Sequence, residues 1–129
     1  MFVINDDKSI HLTRGDIAVI EIGASISDNE DYTFQIGDVV RLRIFEKNHH
    51  ENIILQKDVL IESETPSIDI SLYKDDTKIG DLINKPKDYW YEIELNPDTS
   101  PQTIIGYDSD GPKIFRLYPE GDDIDEHSI

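Results

Sequence analysis

The chain has 129 residues, enough for one domain that buries roughly two thirds of its unfolded surface and too few for two. Its 28 Asp and Glu against 12 Lys and Arg give a formal net charge of -16, a surface that repels phosphate backbones and anionic bilayers on average. Nucleic acid and membrane are therefore not expected as partners. Cys is absent, which removes disulfides, thiolate zinc sites and cysteine nucleophiles together.

The start, Met1 to Lys8, has no basic region leading into an apolar stretch of signal length. No segment nears the ~18 consecutive apolar residues of a membrane span, so the chain is expected to be made and kept as a soluble protein. The aliphatic residues alternate with polar ones instead of scattering, which argues for an ordered body.

In chain order, strand-like runs rich in β-branched or aromatic residues cover Ser9 to Thr13 and Ile17 to Ile22. Asp28-Asn29-Glu30-Asp31 and Gly37-Asp38 read as turns. From Val39 to Glu46, residues Val40, Leu42 and Ile44 fall on one side while Arg41, Arg43 and Phe45 fall on the other, the pattern of a half-buried strand. Asn48 to Asn52 reads as a hairpin tip before a strand from Ile53 to Ile61. Ser67 to Leu72 alternates strictly.

Lys74 to Asn84 is the one helical candidate. Asp75-Asp76-Thr77 is placed to cap it and Lys85-Pro86 to stop it, and it is read as a crossover between two sheets. Tyr89 to Leu95 sets Tyr89, Tyr91, Ile93 and Leu95 against Trp90, Glu92 and Glu94. Asn96-Pro97-Asp98 turns the chain into a strand from Gln102 to Tyr107. Asp108 to Pro112 reads as a hairpin turn before a last strand, Lys113 to Tyr118. About eight or nine short strands at near-regular spacing predict an all-β, antiparallel β-sandwich or barrel over residues 1–119. Residues 120–129, with five carboxylates and no Lys or Arg, form an acidic C-terminal tail, either solvated or docked on a basic neighbour.

No arrangement of residues points to catalysis, a metal or a cofactor. Arg14-Gly15-Asp16 spells a cell-adhesion tripeptide, but Gly15 between two strands is explained as a bend. His49 and His50 are adjacent, whereas a metal wants i, i+2 on a strand or i, i+4 on a helix. His11 and His127 lack evident partners. Asp108-Ser109-Asp110-Gly111 opens like a calcium loop, yet Gly comes at position four and no Glu stands at position twelve. Carboxylate pairs such as Asp6-Asp7, Asp75-Asp76 and Asp122-Asp123 arise without purpose in so acidic a chain. Trp90 faces away from the apolar side of its strand, either under a loop or in contact with a partner. Arg41, Arg43 and Trp90 are the candidate partner-binding residues.

The opening Phe2 to Asp7, then Ile10-His11-Leu12-Thr13-Arg14-Gly15-Asp16, resembles a family of small proteins from phages and prophages. Tyr32, Gly37-Asp38-Val39-Val40, Ile54-Leu55-Gln56-Lys57, Asp88 to Leu95 and Thr103-Ile104-Ile105 follow in the same order. The likeness is to the N-terminal domain of the baseplate upper protein family and covers the chain to about Tyr118. It implies an immunoglobulin-like β-sandwich acting as an attachment or adaptor module of baseplate, tail or head.

The resemblance also implies other virion structural proteins as partners, several copies or a homo-oligomer in the particle, and a life in the host cytoplasm before assembly. Family members often continue into helical or fibre-forming segments. The acidic tail in that place points to a stand-alone adaptor or decoration protein. The alternative is a module that binds host carbohydrate or receptor, for which Trp90, Tyr32, Tyr73 and Tyr107 are the available aromatics.

Overall fold

Period-two alternation places aliphatic side chains on one face of each strand, and the fold follows from pairing those faces. The computed structural model describes residues 2–4, 8–27, 30–79, 85–109 and 111–119. Its strands are β1 (Phe2–Ile4), β2 (Ile10–Thr13), β3 (Ala18–Ile22), β4 (Ala24–Ser27), β5 (Glu30–Tyr32), β6 (Val39–Glu46), β7 (His49–Leu60), β8 (Ile68–Leu72), β9 (Lys87–Leu95), β10 (Gln102–Ile105) and β11 (Lys113–Tyr118). The one helix among these residues, α1, is Lys74–Thr77. Its described residues are all-β, in several sheets that do not close into a barrel, which leaves the sandwich of the two architectures expected.

The largest sheet runs β1-β2-β11-β9-β6-β7, with β10 also on β9; β3 pairs with β8, and β4 with β5. Val40, Leu42 and Ile44 of β6, Tyr89 and Ile93 of β9 and Phe115 and Leu117 of β11 are fully covered on one side of the large sheet. They meet Ile20 and Ile22 of β3 and Ile70 and Leu72 of β8 in a single sandwich-like core. Each such side chain contributes roughly 1.5–3 kcal/mol when buried. A one-residue slip of any strand would turn its whole set outward, which locks the register.

The expected wholly antiparallel arrangement is corrected at one pairing. β11 runs parallel to β2, with Phe115 beside Ile10 and Leu117 beside Leu12. A parallel neighbour comes from distant sequence and leaves no hairpin signal.

Three local expectations also change. The β6–β7 turn is Lys47-Asn48, with Asn48 at φ 69 and Glu46 opposite His49, so the strand begins at His49 rather than Ile53. Glu30 and Asp31, expected in a turn, belong to β5, which pairs with β4 through Ala24 and Tyr32. Residues 28 and 29 lie outside the described residues. The third change concerns β10 and β11, which are not a hairpin. Both pair with the same edge of β9, Ile105 opposite Ile93 and Lys113 opposite Tyr91, so they continue one line from which the described residues between them, 106–109 and 111–112, are extruded.

Helix α1 lies between β8 in one sheet and β9 in the other, as a crossover requires. Its start is secured from within: the Asp76 carboxylate accepts the Tyr73 N–H at 2.9 Å and Lys57 Nζ at 2.9 Å. Residues 80–84 of the expected helix, and the acidic tail 120–129, lie outside the described residues.

Candidate interaction surfaces

The outward side chains of β6 and β9 meet across strands. Arg41 stands opposite Asp58 of β7 and Glu94 of β9; Arg43 stands opposite Glu92, and Phe45 opposite Trp90. The Arg41 guanidinium donates to Asp58 from Nε at 2.8 Å and Nη2 at 3.0 Å, and to Asp98 from Nη1 at 3.2 Å and Nη2 at 3.0 Å. Two bidentate carboxylates bury Arg41, and hydrogen bonding from it holds the Asp58 carboxyl below its usual range. Arg43 Nη1 lies 3.4 Å from Glu94 and 3.7 Å from Glu92. Both arginines occupy the face expected of them, with their charge taken up by the chain's own acids.

Trp90 is half-buried. Tyr107, in the stretch extruded after β10, lies against it, ring centroids 6.5 Å apart and planes at 68°. Of the two readings of Trp90, the loop cover is present, and Tyr107, 71% exposed, takes the solvent-facing place. Phe45 shares that face yet is nearly covered.

The motif Leu12 to Asp16 carries the chain from β2 in one sheet to β3 in another. Gly15 sits at φ 90, a conformation open to glycine at little cost. Arg14 is buried; its N–H bonds the Tyr118 carbonyl at 2.9 Å and its Nη2 the Lys78 carbonyl at 3.4 Å. The Thr77 hydroxyl donates to the Asp16 carbonyl at 2.8 Å. The tripeptide is a bend, as expected.

His11 engages Ser9 Oγ through Nε2 at 3.1 Å and the Tyr118 hydroxyl through Nδ1 at 3.0 Å. The Asp108 carboxylate accepts from Lys113 Nζ at 2.8 Å, and Asp110 lies outside the described residues. Among the described residues no three His, Asp or Glu side chains gather as for a metal ion.

Asp38, half-buried, ties three segments. It accepts the Tyr32 hydroxyl at 2.6 Å, the Gln35 N–H at 2.9 Å and Asn96 Nδ2 at 3.1 Å. Burial opposes its ionisation, but the hydrogen bonds, Tyr32's first, outweigh burial and hold the carboxyl below its ordinary value.

A surface that the sequence reading did not single out is the outer side of the β3–β8 ribbon. Val19 is half-exposed and Ile17 and Tyr73 more so, and the last two stand one step beyond the Ala18–Leu72 pair. Further along, Glu21 lies directly opposite Asp69, both exposed, a like-charge pair that costs stability. The signal was present in the alternation of residues 17–22, but only the register shows which outward residues become neighbours.

These surfaces define an all-β, sandwich-like chain whose outward arginines are internally neutralised and whose second ribbon shows a mixed apolar and acidic face. No protein family, curated protein or solved structure matches the chain.

Proposed function

We propose that the chain is a non-enzymatic structural protein of a phage particle. It is an immunoglobulin-like β-sandwich that serves as an adaptor of baseplate, tail or head, in several copies, beside other virion structural proteins. The ordered likeness from Phe2 to Tyr118 supports the virion assignment.

The observation that carries the adaptor role is the β3–β8 ribbon. Ile17, Val19 and Tyr73 are exposed together, the free edge of β3 has no second strand among the described residues, and Glu21 and Asp69 are held opposite each other. A partner that covers the aliphatics and sets Lys or Arg between the two acids relieves both costs. Quantitative mass spectrometry of purified particles tests the assignment. A fixed stoichiometric copy number is expected, and particles devoid of the chain would overturn it.

Tyr107, exposed against Trp90 with Asp108 and Ser109 beside it, favours a second reading, recognition of host-surface carbohydrate. Saturable binding of cell-wall glycan that Tyr107→Ala abolishes would select it. No binding at millimolar glycan would reject it.

A further inference from the structure

Strands β4 and β10 each have one edge paired, with β5 and β9 respectively, and among the described residues neither has a second strand neighbour. Both line one cleft of about 630 Å³: Gly23 to Ile26 on one side, Gln102 to Ile105 on the other, joined by Tyr32, Leu95 and Lys8. A second hollow of about 270 Å³ shares Lys8 and residues 103–105 and continues past Gly106 to Lys113. Together they follow β10 along its length. The interruption of the sheet line creates this space, because β2 flanks β11 on the side away from β9, whereas no strand flanks β10 there among the described residues.

An unpaired strand edge offers N–H and C=O groups at ladder spacing, a site for an extended main chain. The side chains narrow the choice. Among the described residues no Asp or Glu lines the larger cleft. In the adjoining hollow the Asp108 carboxylate is engaged by Lys113 at 2.8 Å. No acid pairs with the Lys8 ammonium among the described residues. Ile26, Ile104 and Ile105 supply apolar contact. The lining therefore suits an aliphatic segment that brings one negative charge, a chemistry opposite to that of the ribbon face.

We infer that the cleft accepts a strand: an extended aliphatic segment of a partner protein, with an Asp, Glu or terminal carboxylate against Lys8, adds to the free edge of β10. The inference rests on the reading that the chain works by protein–protein contact, and it names where and with what.

The test uses the full chain and a display library of short linear peptides. Enriched peptides are expected to alternate aliphatic residues and to carry an acid. Their binding should slow amide exchange at residues 103–105. Lys8→Glu and Ile26→Asp, both at exposed positions, should each weaken binding about tenfold or more, the scale of one lost charged or apolar contact. Backbone N-methylation of a selected peptide, which removes its main-chain donors and keeps its side chains, should weaken it similarly.

An unfolding midpoint close to the parent's shows that a variant remains folded. No enrichment, binding indifferent to both substitutions, or glycan binding at these residues in place of peptide would overturn the proposal. Particles found to lack the chain would retract the virion assignment and leave the peptide result standing.

Discussion

Asp38 gathers hydrogen bonds from the end of β5, the following loop and the turn after β9, so one side chain fixes how three segments meet. Asp38→Ala is expected to cost about 2–3 kcal/mol, because three donors lose a charged acceptor at a half-buried place. Urea unfolding measures it. Asp38, Asp58 and Asp88 all have carboxyl pKa values below the ordinary one. A depressed folded pKa stabilises the fold above the unfolded value of about 4 and ceases to do so as pH falls through the folded value. Tyr32→Phe removes one of the bonds that depress Asp38. Its penalty of about 1 kcal/mol should be full at neutral pH and shrink below about pH 4. A penalty constant from pH 7 to pH 3 would show that the Tyr32–Asp38 bond is not the coupled pair.

At the scale of elements, the cores of β6, β8 and β9 were legible because alternation repeats over many residues and burial rewards only one phase of it. The faces of Arg41, Arg43 and Trp90 were legible for the same reason. Their partners were not: that Asp58 and Asp98 close on Arg41 depends on β7 register and on a turn, and neither is local to residue 41. β10 and β11 were misjoined because Asp108 to Pro112 has real turn chemistry, with Gly111 at φ 95, while their shared place on β9 is a long-range fact. β4 and β5 went unread because Ser, Glu and Asp favour turns over strands.

Two predictions belong to this scale. Replacing residues 106–112 by a single residue matches the spacing on β9, where Glu92 alone separates Ile93 from Tyr91. The chain should fold with β10 and β11 joined and with Trp90 emission shifted to the red as Tyr107 is lost; an unchanged spectrum would show that the loop does not cover Trp90. Glu21→Lys converts the like pair with Asp69 into an attractive one, which should stabilise the isolated chain by about 0.5 kcal/mol and weaken docking. A variant that is no more stable, or that docks as well as the parent, would contradict the role given to the ribbon.

For the whole molecule, charge is the largest feature, and the tail does not account for it. Residues 120–129 hold five of the 28 acids and no base, so the preceding residues carry 23 acids against 12 bases, a formal -11. Much of the positive charge is already spent within the fold, through Arg41, Arg43, Lys57, Lys87, Lys113 and Arg116. The surface left for a partner is thus more one-sided than composition suggests, and association should weaken as salt rises through the range where the Debye length falls below about 10 Å.

Re-addition of the purified chain to particles assembled without it tests the adaptor role most directly. Saturable binding at a fixed copy number, reduced by salt and by Glu21→Lys, is expected. Particles that take up no chain, or take it up without saturation and without regard to salt, would contradict it.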